Sequence, residues 1–203
     1  MKNFSIVQNF ICTKDSRLEV VKRNTKKLGS VFSDTNFYIN YNSDNQNYNP
    51  IKDSYKNNIK NISFYNDLTK DWALVTLALV KEVKTPYVMY ICEDMEVNCS
   101  KEHMESTMHE FTTEDMDYMF LSKIGAYTRE EYINGYTPYN AIKSPGYKKM
   151  DFGYFYLGKH APHKRLSMDM ICRTKFFIET LEEFLLKGEE CTHEIPFRKR
   201  HLP

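Results

Sequence analysis

The stretch WALVTLALVKEVKTPYVMYICEDME, from Trp72 to Glu96, decides how this chain folds. Its first half places Trp72, Val75, Thr76, Leu79 and Val83 at helical spacing, and Thr69 or Asp71 offers a side chain that caps the helix start. Pro86 then opens an almost wholly apolar run over residues 87–92, the pattern of a strand buried on both faces. The run delivers three acids in four positions, Glu93, Asp94 and Glu96. A helix that hands over to a buried strand is half of a strand–helix–strand unit, so a parallel sheet is the expected frame.

Upstream, the same alternation repeats. Residues 4–12 read as a buried strand. Thr13 and Asp15 are placed to cap a helix over residues 16–28, with Leu18, Val21 and Leu28 on its apolar side and Gly29 as its stop. Residues 37–41 form a second strand with Phe37, Ile39 and Tyr41 on one face. Residues 42–58 read as a polar loop with one helical turn near 51–55, and residues 62–65 as a third strand closed by Asn66 and Asp67. This order predicts an α/β chain whose central, mostly parallel sheet is flanked by helices. Downstream, a helix is expected over 101–111, a strand over 118–121, an aromatic strand over 152–157 and a helix over 174–186 with Phe177, Leu181, Phe184 and Leu185 inward. Residues 125–150, rich in Gly, Pro and Tyr, lack periodicity and read as a binding loop or a disordered segment.

Composition narrows the function classes. A chain of 203 residues with 41% hydrophobic and 27% charged residues can build one ordinary globular domain. A net charge of +1 gives no chain-wide attraction to nucleic acid or to an anionic membrane, so an anionic ligand must be held by a few placed groups. No apolar run approaches the roughly 18 residues of a membrane span, and Asn3, Ser5 and Gln8 interrupt any leader-like apolar region. The five cysteines form no CxxC pair, which points to reduced thiols and a cytoplasmic setting.

In open α/β sheets ligands sit beyond the carboxyl ends of the strands, which is where Glu93, Asp94 and Glu96 fall. Crowded carboxylates repel one another unless a cation compensates. Mn²⁺ or Mg²⁺ accepts one or two carboxylates together with phosphate oxygens, and so neutralises a departing diphosphate. Acids at this position also serve as helix caps or solvent-facing groups, and spacing alone leaves both readings open. The cluster Lys159, His160, His163, Lys164 and Arg165 is open in the same way, as a cationic lid over phosphate or a solvated basic loop.

The Trp72-to-Glu96 run resembles the helix–strand–acid segment of GT-A glycosyltransferases. That resemblance covers about 25 residues in pattern and much of the chain in element order. It implies a GT-A, Rossmann-like fold in one domain over 1–203, with a nucleotide-sugar half at 1–97 and an acceptor half at 98–203. It implies a metal held by Asp94 and Glu96 with His193 as a further ligand; either Asp94-Met95-Glu96 is the D-x-D element or Met95 stands where an acid is expected. The nucleotide-sugar site would draw on Ile11, Cys12, Thr13, Arg17, Asn40, Asn42, Asp67, Glu93 and Asp94, and the catalytic base on Glu194 first and Asp151 second. The implied reaction moves a sugar from a nucleoside-diphosphate donor, UDP-linked by preference, to a glycan hydroxyl by direct, inverting displacement, with Mn²⁺ or Mg²⁺ as cofactor. Nucleic acid is not an expected partner. A sugar-phosphate nucleotidyltransferase and a non-catalytic sugar- or nucleotide-binding module are the alternatives. The first alternative calls for a glycine-rich phosphate loop after the first strand, and residues 12–17 contain no glycine.

Overall fold

Strand β1 (Phe4–Ile11) alternates its side chains so that Phe4, Ile6 and Phe10 enter one core and Val7 enters another. This two-sided burial forces helices onto both faces of the sheet. The computed structural model describes residues 3–11, 15–42, 48–67, 71–93, 97, 99–113, 115, 117–120, 147–149, 155–157 and 170–186. After β1 come α1 (Asp15–Phe32), β2 (Asn36–Asn42), α2 (Tyr48–Asn58), β3 (Asn61–Tyr65), α3 (Trp72–Glu82), β4 (Tyr87–Tyr90) and α4 (Lys101–Thr113). Then follow β5 (Tyr118–Phe120), β6 (Tyr147–Lys149), β7 (Phe155–Leu157), β8 (Met170–Arg173) and α5 (Thr174–Leu186).

These strands form one eight-stranded sheet in the order β3-β2-β1-β4-β8-β5-β7-β6. The pairs β2–β3, β1–β2 and β1–β4 are parallel, whereas β8 enters antiparallel between β4 and β5, and β7 is antiparallel to β5 and β6. One face is covered by α1, α2 and α4 through Val21, Leu28, Phe32, Ile51, Tyr55, Met108 and Phe111. The other is covered by α3 and α5 through Ala73, Leu77, Val80, Phe177, Leu181 and Phe184. Asp71 caps α3, its carboxylate accepting from the Leu74 amide at 3.1 Å. No helix among the described residues is long and apolar enough to cross a membrane.

Four features depart from the sequence reading, the first being strand β6 (Tyr147–Lys149), which lies inside the segment 125–150 read as a loop. Helix α1 runs through Gly29 to Phe32 instead of stopping there. Gly29 marks a crossing: a Cβ at that position would lie 2.4 Å from the Asn58 carbonyl oxygen, so the glycine lets the end of α2 approach α1. The segment expected to be a loop holds α2, an 11-residue helix. Ile51 and Tyr55, four residues apart, are buried there with Ile59, and this narrow stripe is hidden by Asn, Lys and Asp around it. Strand β8 has no counterpart in the sequence reading. Its four residues MICR are too short for periodicity to show, and tertiary pairing with β4 makes them a strand.

On the sheet edge opposite the carboxyl ends of β1 to β4, Arg173 pairs with Asp115 and Asp117 and lies over the Tyr87 ring at 5.7 Å. Asp115 has φ of 53°, a left-handed backbone that Asp tolerates better than most residues. Together these contacts fasten the start of β5 to the β8–α5 junction.

Gly29 yields a prediction. An exposed helical glycine replaced by alanine ordinarily gains about 1 kcal/mol, but overpacking a close contact costs roughly 1–3 kcal/mol. Here the contact is with backbone that cannot swing aside, so Gly29→Ala should lower stability by about 1–2 kcal/mol and the Tm by roughly 3–8 °C. A raised Tm in a thermal melt would contradict the crossing described above.

Candidate functional site

Because β1 to β4 are parallel neighbours, their carboxyl ends open on one edge of the sheet. Ile11 ends β1, Asn42 ends β2, Asn66 and Asp67 follow β3, and Ile91, Cys92 and Glu93 follow β4. Arg17, in the first turn of α1, reaches the same edge. The topology therefore brings together Ile11, Arg17, Asn40, Asn42, Asp67 and Glu93. Cys12, Thr13, Asp94, Glu96, Asp151, His193 and Glu194 lie outside the described residues.

The link across this edge is an ion pair. Glu93, only 5% exposed, receives the Arg17 guanidinium, whose side chain is 41% exposed. Asn24 of α1 donates to the Glu93 carbonyl oxygen at 2.8 Å. Backbone and side chain of Glu93 are thus both held by α1. A buried carboxylate is costly without a cation, and Arg17 supplies one whose outer side still meets solvent. Among the described residues no group of three His, Cys, Asp or Glu side chains is arranged to hold a metal ion.

Below the edge, two polar networks stitch the strands from opposite faces. On the α2 side, Tyr55 donates to Gln8 Oε1 at 2.7 Å, and Gln8 Nε2 donates to the Ile91 carbonyl at 3.2 Å. Burial pushes the Tyr55 phenol far above its ordinary pKa, with the negative charge of Glu93 adding to the rise. Tyr55 therefore remains a hydrogen-bond donor at any physiological pH. This chain of bonds fixes the residues just ahead of the acidic run.

On the α3 side, Asn9 Nδ2 donates to Thr76 Oγ1 at 2.9 Å and to the Trp72 carbonyl at 3.3 Å. Tyr90 donates its hydroxyl proton to the Asn9 carbonyl at 3.1 Å and accepts from Trp72 Nε1 at 2.9 Å. Trp72 is thereby committed to the frame, edge-on to the Tyr90 ring. Asn40, buried to 1% exposure, donates to Asn9 Oδ1 at 3.0 Å and to the Asp67 carbonyl at 3.2 Å, and accepts from the Asp67 amide at 2.8 Å. The Asn40 side chain is consequently turned inward, while Asp67 stands exposed at the edge. Unsatisfied, each such buried amide group would cost about 1–3 kcal/mol.

Sequence reading gives no site role to Gln8, Asn9, Asn24, Tyr55, Thr76 or Tyr90. A signal for two of them is present: Gln8 and Asn9 are adjacent amides inside an apolar strand, one on each face, and buried polar groups in a core demand partners. The partners themselves come from residues 18 to 83 positions away, which spacing does not reveal.

No family model and no curated protein matches the chain. Solved structures do. A fragment of Staphylococcus aureus TarS, residues 1–349, superposes with a TM-score of 0.55 at 12% identity, covering 95% of this chain and 51% of that one. The same fragment in complex with UDP-GlcNAc gives 0.55 at 12% identity over 92% of this chain and 47% of that one. The 4-diphosphocytidyl-2C-methyl-D-erythritol synthase from Anaerococcus prevotii gives 0.50 at 12% identity, covering 94% and 80%. This chain spans about half the length of the TarS fragment it matches. At this identity the likeness is one of fold, an α/β fold in which the parallel strands β1 to β4 lie between helical layers.

Proposed function

We propose that this chain transfers a sugar from a nucleoside-diphosphate sugar, UDP-linked by preference, to a hydroxyl of a glycan acceptor. The observation that carries the reading is that the Arg17–Glu93 ion pair and the exposed Asp67 share the carboxyl edge of four parallel strands, with Glu93 directly ahead of Asp94 and Glu96 in the chain. The fold it shares with a protein crystallised with UDP-GlcNAc supports the same reading.

Each residue has a role that follows from its chemistry. Arg17 pairs with Glu93 just past the end of β4, and a guanidinium suits phosphate oxygens as well as the carboxylate it holds. Asp67 offers an acceptor to nucleoside N–H or O–H groups. Glu93 is already matched by Arg17, so it serves the site by placing that arginine. Asp94 and Glu96 are two hard carboxylates with one residue between them, a donor set that fits Mn²⁺ or Mg²⁺, with His193 as a third candidate. When bound there, the cation offsets charge on the departing diphosphate. Glu194, with Asp151 second, accepts the proton from the acceptor hydroxyl as its oxygen bonds to the anomeric carbon and the bond from that carbon to the diphosphate oxygen breaks. Displacement from the opposite side inverts the anomeric centre.

Thermal melts with UDP test the reading. UDP with Mn²⁺ at about a hundredfold above Kd should stabilise the chain by roughly 2.7 kcal/mol, on the order of 5–10 °C in Tm. Asp94→Ala should abolish the Mn²⁺-dependent part. A shift with CTP alone would favour the nucleotidyltransferase instead. Metal-independent UDP binding with no hydrolysis of UDP-sugars would favour a binding module.

A second outcome concerns Arg17. Charge-assisted hydrogen bonds contribute about 1.5–3 kcal/mol, so Arg17→Ala should weaken UDP roughly 10- to 100-fold in titration calorimetry. Glu93→Gln, which keeps a hydrogen-bonding partner for the guanidinium, should weaken it less. Equal UDP affinity in wild type and Arg17→Ala removes Arg17 from the diphosphate role.

A further inference from the structure

Backbone pairing between β2 and β3 ends at Asn40 and Tyr65. Two residues further on, the chain is still held, because the Asn40 side chain takes over from the ladder. Its Oδ1 accepts from the Asp67 amide at 2.8 Å and its Nδ2 donates to the Asp67 carbonyl at 3.2 Å. The second Nδ2 hydrogen goes to Asn9 Oδ1 at 3.0 Å, and Asn9 is itself anchored on Thr76 at 2.9 Å. The clamp therefore has a rigid base, and both amide donors are spent inside the protein. Asn40 is 1% exposed with its amide turned inward, whereas Asp67 is exposed on the edge where the nucleotide is expected.

We infer that Asn40 is a positioning residue for the nucleotide, acting through the main chain of Asp67. This rests on the functional reading given above and deepens it. An exposed residue beyond a strand end ordinarily samples several backbone conformations, and ordering it on binding costs conformational entropy. A two-point clamp from a buried, pre-anchored amide removes that cost before the ligand arrives. Only an amide side chain fits here, because the clamp needs a donor and an acceptor on one short arm, which neither aspartate nor leucine supplies.

Calorimetry of UDP binding in the presence of Mn²⁺, together with hydrogen exchange at the Asp67 amide, tests the role. Asn40→Ala should weaken UDP about tenfold and raise Asp67 exchange at least tenfold. Asn40→Ser, which keeps a polar group but is too short to span both main-chain atoms, should behave similarly if the alanine variant folds poorly. Asp67→Ala combined with Asn40→Ala should bind UDP no more weakly than Asp67→Ala alone, since the two act on one contact. Leu181→Ala, a core truncation in α5, serves as the stability control and should leave UDP affinity within about twofold. Wild-type binding that Asn40→Ala leaves intact, or an equal loss in Leu181→Ala, overturns the positioning role alone. No UDP binding by the wild-type chain overturns the functional reading and this role with it.

Discussion

A buried amide must find partners for its donors and its acceptor, and this chain places amides at Gln8, Asn9 and Asn40 in the middle of its sheet. That requirement organises everything around them. Gln8 draws α2 in through Tyr55 and fixes the main chain after β4 at Ile91. Asn9 draws in α3 at Trp72 and Thr76, and Asn40 draws in the end of β3. An apolar core would fix the distance between these elements but not their register, whereas directional bonds fix both. The carboxyl edge thus rests on a foundation that is determined to the level of individual backbone groups.

The parts of the fold visible in the sequence are those whose pattern is long or strongly punctuated. β1 and α3 stand out by runs rich in apolar residues and by Asp71, and Phe37, Ile39 and Tyr41 do enter one core together. The hidden parts are those fixed by tertiary contact. Helix α2 depends on Ile51, Tyr55 and Ile59 finding α1, and Gly29 looks like a stop until Asn58 is seen against it. The site divides along the same line. That acids gather after β4 is plain from spacing, but which of them already has a partner is not, since Arg17 lies 76 positions before Glu93 in the chain. A place near a strand end makes Asn40 look like a ligand of the nucleotide; parity of the strand turns it inward with Asn9.

Glu93 illustrates how one side chain can matter to an anion site without touching an anion. Its charge lowers the local positive potential, which by itself disfavours phosphate. Yet an unanchored arginine at a helix start would lose rotamer freedom on every binding event. Holding Arg17 on a buried carboxylate exchanges some attraction for order, and the Asn24 bond to the Glu93 carbonyl keeps that carboxylate from drifting. A frame of this kind hosts different chemistries according to the few residues mounted on its edge.

Strand β8 has a consequence for how the molecule comes to exist. Its four residues lie against β4, yet about eighty positions separate them from it in the chain. During synthesis β4 leaves the ribosome with one flank unpaired, and Val88, Met89 and Tyr90 meet their β8 partners only about eighty residues later, with α5 directly behind. Until then that flank of β4 is an open strand edge, and the arrival of β8 with α5 closes the edge and completes the second core.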